Sequence, residues 1–476
     1  MMRVTDSQSD YNASTFYLIA LSATLGSVAW GYNLTVFNSL RLFLQRNVFP
    51  DASEQTIANL ASVVNLVAIA GSYFAGRFVS SYGRRKTLLM ADVVGIIGSC
   101  CCIIHSLPII FVGRILIGFS IGINSAVMPL YNVEMSPLAL KGKMGAISVA
   151  MLSSGLLLGF AMEFFVPDLV EGKDSQIWRL LFGFAAIFHV TRIAILTRVY
   201  NFDTPIYLVL NDKIGEAKEV LSRFYTANIE EHLERVIRDK EAILSGGTLT
   251  IKDLFTPKYR NATLMAFLCI AGTQMNGFTP IIMFCNMFIK DSAGGDPETI
   301  KLFSNLWGFV SFAFTITTTL IVERFGRRSL MITFTACLFV TKFVFALITF
   351  IDGPSNPLLK YLLVFLWPAF YRLSAGTLAF GYCSEVLPSI GVSVALVFCW
   401  ILGFLTVQTF IPLSKVFGIG GLMFIWSLFC LGSAIVFYKY LLESKGKTKA
   451  ELLELYRGLT KEKNNQIEMS SLIPKV

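Results

Sequence analysis

Apolar runs of about twenty residues recur along the whole chain, separated by polar loops. The first six fall at Thr15–Asn38, Ile57–Val79, Thr87–His105, Pro108–Val133, Met144–Val166 and Ile177–Tyr200. A polar, charge-rich segment from Asn201 to Arg260 follows. Six more runs lie at Ala262–Ile289, Thr299–Val322, Leu330–Phe350, Leu358–Ser384, Val392–Leu413 and Ile419–Tyr440. Each is long enough to cross a bilayer core of ~30 Å as a helix. The runs are continuous rather than alternating, which excludes a transmembrane β-barrel. The expected fold class is an all-α membrane protein with twelve transmembrane helices in two six-helix halves.

Composition supports this, since 54% of the 476 residues are hydrophobic and only 15% are charged. That is too little charge for the surface of a soluble protein of this size. The net charge of +9 would suggest nucleic acid in a soluble domain. Here the cations sit in alternate short loops, at Arg84, Arg85 and Lys86, at Lys141 and Lys143, and at Arg324, Arg327 and Arg328. Intervening loops lean acidic (Asp168, Glu171 and Asp174; Asp291, Asp296 and Glu298), although Arg41 and Arg46 dilute the bias. Lysine and arginine mark the cytoplasmic side, so both termini and the middle segment are expected there.

The expected organisation is a cytoplasmic N-terminus (1–14), a first bundle (15–200), a cytoplasmic helical linker (201–260), a second bundle (261–440) and a cytoplasmic tail (441–476). Met1 to Ser14 has no apolar core for a cleaved signal peptide, so the first run is expected to direct insertion. The nine cysteines fall inside apolar runs without metal-ligand spacing, and neither zinc nor disulfides are expected. With three histidines and no P-loop, neither an enzyme nor a cofactor is expected.

Two motifs repeat between the halves. Gly83-Arg84-Arg85 and Gly326-Arg327-Arg328 each follow the second run of a half, and Tyr131-x-x-Glu134-x-x-Pro137 and Tyr382-x-x-Glu385-x-x-Pro388 each follow the fourth. Paired recurrence at matching offsets indicates an internal duplication, an arrangement found in transporters that bind substrate near the membrane midplane. The plain explanation of the charges is a topology signal. The functional one is a cytoplasmic gate in which Arg84, Arg85 and Lys141 meet Glu134, and Arg327 and Arg328 meet Glu323 and Glu385. At the water boundary such pairs form and break without prohibitive desolvation, as a latch between halves requires.

The combined motifs resemble the sugar porter branch of the major facilitator superfamily, near the facilitative glucose transporters. The similar stretches are LGSVAWGYNLTVFN, GRFVSSYGRRK, the segment from Gly113 to Gly145, QMNG, VERFGRR and ESKGKT, spanning about Leu21 to Thr448. The resemblance implies alternating access by rocking of two bundles. It also implies a substrate site at Gln274, Asn276, Thr279, Ser311, Phe380 and Trp400, for a hexose or related polyol. Several positions depart from the family pattern. Val149 replaces a hexose-binding Gln, Thr279 replaces an Asn, and Gly376 to Phe380 lacks the family's two prolines. Gln and Asn inside membrane helices also serve as glue between helices.

Charges inside runs are expensive and mark cavities or paired sites. Arg372 lies midway along the tenth run, where the family's matching position is acidic; Lys342, Arg192 and His189 are also internal. A positive interior leaves a small organic anion held by Arg372 as the alternative cargo, and a non-transporting sugar sensor as a further one. Proton-coupled relatives carry an acid where this chain has Asn33. The acids Asp92 and Glu163 are read as lying toward run ends, so uniport is expected. In the tail, Glu468 precedes Leu472-Ile473 at the spacing of acidic dileucine signals read by clathrin adaptors, which suggests cycling between plasma membrane and endosomes.

Overall fold

The computed structural model describes residues 11–137, 140–166, 175–245, 249–293, 296–352, 357–447 and 449–458. The first half comprises α1 (Ala13–Ala23), α2 (Leu25–Phe43), α3 (Glu54–Tyr82), α4 (Arg84–Cys102), α5 (Leu107–Met135), α6 (Lys141–Ala161) and α7 (Ile177–Arg198). Three short helices follow, α8 (Pro205–Leu210), α9 (Ile214–Ser222) and α10 (Ile229–Ser245). The second half comprises α11 (Arg260–Gln274), α12 (Phe278–Met283), α13 (Cys285–Ala293), α14 (Pro297–Phe325), α15 (Arg327–Asp352), α16 (Pro357–Leu373), α17 (Ala375–Val386) and α18 (Ser389–Tyr440). The tail residues Glu468, Leu472 and Ile473 lie outside the described residues.

Among the described residues, ten helical stretches are long and apolar enough to cross a membrane. One of them, α18, is two helices joined at Gly418, where φ is 66°. The 19-residue α4 falls outside the ten because Arg84, Arg85, Lys86 and Asp92 dilute it, yet it packs between α5 and α7. Twelve passes result, as the hydrophobic pattern leads one to expect.

Three passes read as single runs are broken near their middles. The first breaks at Thr24, whose Oγ1 donates to the Ala20 carbonyl at 2.6 Å and competes with the helix ladder. The seventh breaks at Gly277, which takes the left-handed region at φ 79°. There a Cβ would meet Trp426 at 2.1 Å, so both conformation and space require glycine. The tenth breaks at Ser374.

Three apolar clusters hold the bundle. One is shared by both halves, joining Tyr32, Phe37 and Leu40 to Phe284, Trp307 and Trp400. The other two are private. Phe16, Val127 and Tyr131 pack with the linker residues Phe224 and Tyr225, and Ala262, Met331 and Tyr382 pack with Tyr456 of the helix at 449–458. The private clusters lie toward the Gly-Arg-Arg loops. The halves are therefore joined at the opposite face and separate at the basic one.

Exposure along the central helices agrees. Beyond its break, α2 is almost wholly buried, as is α12, whereas Leu18 and Leu21 of α1 and Leu264 and Leu268 of α11 are exposed. The space between the halves opens toward the basic face.

Candidate functional site

Each half builds the same charge cluster at its basic loop. Gly83 (φ 87°) and Gly326 (φ 83°) end one long helix and start the next. Their positive φ aims the first amides of α4 and α15 at a carboxylate. The backbone N–H groups of Arg84 and Arg85 donate to Asp203 at 3.1 and 3.2 Å. Those of Arg327 and Arg328 donate to Glu443, both at 3.0 Å. A carboxylate facing a helix N-terminus satisfies orphan donors and the dipole together. Burial pushes the Asp203 carboxyl up from its ordinary value, against the amides that favour its charge.

The two arginines of each motif have separate tasks. Arg84 donates from Nη2 to Glu134 Oε1 at 2.8 Å, with its Nε 2.7 Å from Oε2. Thr204 Oγ1 donates to the same carboxylate at 2.6 Å. Arg327 likewise donates to Glu385 at 3.0 Å and to Glu323 at 2.8 Å. The second arginines do not join these acids, contrary to expectation. Arg85 donates from Nε to the Leu196 carbonyl at 2.7 Å, and Arg328 to the Leu441 and Tyr438 carbonyls at 2.7 and 2.8 Å. The loop geometry turns them toward the last turns of α7 and α18, where they cap orphan carbonyls. The side chain of Lys141 lies outside the described residues.

Both clusters are internal to one half. Among the described residues no ion pair joins the halves at the basic ends, where a latch between them is expected, because those ends stand apart. The recorded links between halves run elsewhere. Asn286 donates its backbone N–H to Asn38 and accepts from the Asn38 amide, both at 3.0 Å, and its own amide donates to Glu163. Ser304 adds a bond to Asn286 at 2.6 Å. Gln408 donates to Asn59 at 3.0 Å, and Lys415 pairs with Glu54 at 2.8 Å. Nearer the middle, Ser153 meets Thr315 at 2.9 Å.

The predicted substrate residues gather around the break between α11 and α12, with mixed roles. Gln274 is half-buried, accepting from Thr279 Oγ1 at 2.7 Å and donating to Cys399 Sγ at 3.0 Å. Asn276 is a correction. Its amide donates to the Gly272 and Thr273 carbonyls at 2.6 and 3.1 Å and accepts from the Phe278 N–H at 2.9 Å. The side chain is spent on the break itself, because both helix ends there need partners. Ser311 accepts from Arg372 Nε at 2.9 Å, and the guanidinium lies 5.2 Å from the Phe278 ring centre. Phe380 is half-buried nearby. Trp400 packs its ring 5.4 Å from Trp30 and donates to Ser125 at 3.4 Å, which joins the halves at mid-depth.

The buried charges complete the interior. Asp92 is not toward a helix end but midway along α4, fully buried. Arg192 grips it from Nε at 2.7 Å and Nη2 at 2.6 Å, and His189 Nδ1 lies 2.6 Å away. Arg192 Nη1 also donates to the Ala23 carbonyl at 2.9 Å, tying this pair to the break of the first pass. Lys342 plays the matching part in the second half, donating to the Asn276 carbonyl between the rings of Trp367 and Trp426. A cation thus caps the last turn of each half-helix at both breaks.

Paired bundles, broken central helices and closure at one face define a membrane carrier rather than an enzyme. The family described as Sugar (and other) transporter matches residues 19–456, and the chain belongs to it. Putative polyol transporter 1 of Arabidopsis thaliana is 26% identical, aligned over 94% of this chain and 92% of that protein. Facilitated glucose transporter member 3 of solute carrier family 2 from Canis lupus familiaris is 26% identical, over 96% of this chain and 97% of that one. A solved structure of a major facilitator superfamily proton:xylose symporter, bound to 6-bromo-6-deoxy-D-glucose, superposes with a TM-score of 0.80. It covers 94% of this chain and all of that one at 21% identity, and shares the fold. The protein is a multi-pass membrane carrier of the sugar (and other) transporter family, with the major facilitator fold.

Proposed function

We propose that the protein carries a hexose or related small polyol by alternating access as a uniporter, and that this structure is its cytoplasm-open state. The observation that carries the reading is one-sided closure around broken central helices. The halves meet through Asn38, Glu163, Asn286 and Gln408 on one face and stand apart on the face with the basic loops. Lysine and arginine assign the basic face to the cytoplasm. Gln274, Thr279 and Trp400, with the half-buried Phe380, supply the amide, hydroxyl and ring surfaces a sugar needs. Uptake of labelled hexoses and hexitols into proteoliposomes tests the reading, and failure to move any polyhydroxylated solute would reject it.

Asn33 supports uniport, since its amide does not titrate and donates to the Ala29 carbonyl at 2.9 Å. Asp92, the acid deep in the first half, has its charge matched by Arg192. Uptake is therefore expected to be indifferent to a protonophore. Alkalinisation outside the vesicles, driven by substrate and abolished by the protonophore, would replace uniport with symport.

The charge clusters act as supports of the basic ends. The Glu134 side chain is only 13% exposed and accepts from both Arg84 and Thr204, whereas that of Glu385 is 33% exposed and is bonded by Arg327. Glu134→Gln is expected to reduce transport more than Glu385→Gln at equal expression, by several-fold. Initial uptake rates of the two variants decide it, and equal losses would refute the ordering. The plasma membrane is the proposed location, with endosomal cycling through Glu468, Leu472 and Ile473; alanine at Leu472 and Ile473 then raises the surface fraction.

A further inference from the structure

Arg372 carries a charge that no acid among the described residues answers. It is 3% exposed, near the middle of the tenth pass, two residues before the break at Ser374. A guanidinium has five N–H donors. Here Nε donates to Ser311, and the guanidinium carbon lies 5.2 and 5.6 Å from the centres of the Phe278 and Tyr371 rings, which stack on each other at 3.6 Å. No acceptor is recorded for its two terminal amino groups among the described residues. Its nearest titratable company is Tyr371, whose hydroxyl is already committed to the Thr273 carbonyl at 3.3 Å.

The surrounding charge balance is one-sided. In the first half the buried cation Arg192 is matched by Asp92, while Arg114, equally buried, is held by the Leu60 and Asn33 carbonyls with the Phe37 ring beside it. In the second half Lys342 is buried beside the break of the seventh pass with a carbonyl and two indole faces, and it too meets no acid among the described residues. Glu163 is occupied at the closed face with Asn286. A lone cation at this depth is costly, and such residues face a substrate path as a rule. An arginine fork with both terminal nitrogens open fits a carboxylate in bidentate fashion, which a neutral hydroxyl does not exploit.

Position joins this fork to the sugar-binding groups. Phe278, which carries the guanidinium on its face, is the residue before Thr279, and Thr279 is bonded to Gln274. We propose that the substrate is a polyhydroxy carboxylate, of the aldonate or uronate class, with its carboxylate on the terminal nitrogens of Arg372 and its hydroxyls on Gln274 and Thr279. This rests on the alternating-access carrier reading above and, at the same site, puts the acid form of the sugar ahead of the neutral one. Lysine at 372 keeps the charge and loses the fork; glutamine loses both.

The test is uptake into proteoliposomes of a hexose, the matching hexitol, the aldonate and the uronate, with the membrane potential clamped by a potassium gradient and ionophore. Wild-type protein is expected to take up a sugar acid with at least about tenfold higher kcat/KM than the matching neutral sugar, about 1.4 kcal/mol of discrimination. Its accumulation should rise when the interior is made positive, because a uniported anion carries charge. Arg372→Gln is expected to lower the acid-to-neutral ratio by about tenfold or more, with Arg372→Lys between. Neutral sugar carried as well as or better than either acid by wild-type protein overturns this proposal and leaves the sugar-carrier reading standing. Movement of none of the four overturns both. The wild-type comparison decides the matter even where a variant at 372 fails to fold.

Discussion

Asp92→Asn is expected to destabilise the folded protein by about 3–5 kcal/mol, the usual loss when one partner of a buried ion pair is removed. Arg192 is enclosed on every side, and its bonds to the Ala23 carbonyl and to Asn124 Oδ1 satisfy donors without supplying negative charge. An asparagine at 92 restores a hydrogen bond but not the charge, and it leaves His189 and Arg192 sharing one weak acceptor. The double replacement Asp92→Asn with Arg192→Met removes both charges and should recover most of the loss, because the unpaired cation is the costly element. Thermal denaturation of the detergent-purified single and double variants measures this. A double variant no more stable than Asp92→Asn would mean that Arg192 matters for its cap on the first break, not for its charge.

The placement of Asp92 also shows where sequence reasoning stopped. The third apolar run begins at Thr87, which sets Asp92 near its edge, yet α4 begins at Arg84. The helix extends into the basic loop because Asp203, remote in sequence, accepts its first amides. The duplicated Gly-Arg-Arg and Tyr-x-x-Glu-x-x-Pro motifs were legible because each is local. Their partners Asp203 and Glu443 repeat as well, but far from the motifs in sequence. Asp203-Thr204 and Glu443-Ser444 are both acid-hydroxyl pairs just after the last helix of a half.

Other features are outweighed or unmarked locally. The apolar length through Gln274 to Thr279 reads as one helix, although Asn276-Gly277 with Pro280 beyond it is a break signal, and the Trp426 ring against Gly277 fixes glycine there. Asn276 looked like a ligand residue for the same reason. In a continuous helix its amide would be free, and at a break it is consumed. Arg372 was conspicuous from the outset because an intramembrane cation is rare. That its neighbours are a serine and two aromatic rings, with no acid, is a fact of packing that spacing does not carry.

Asn286→Ala is expected to shift the carrier toward opening at the face away from the basic loops. Asn286 is the point at which bonds from both halves converge, accepting from Asn38 and Ser304 and donating to Glu163. Alanine removes the side-chain members of this set while sparing the backbone bond to Asn38. Glu163, 3% exposed, then loses its recorded partner in the closed state only, since an open face gives its carboxylate water. A buried group left unpaired costs about 1–3 kcal/mol, which is about 5- to 150-fold in the balance between states. Spin labels on Asp51→Cys and Asp296→Cys, exposed sites on opposite halves at that face, report the change as a longer distance component; Cys100, Cys101 and Cys337 are first replaced by alanine. Distances unchanged from the parent would show that Gln408 and the Glu54–Lys415 pair hold the face closed without Asn286. Glu163→Gln separates the two contributions, because a neutral amide still meets Asn286 but needs no charge solvation, and it should favour the closed face where Asn286→Ala favours the open one.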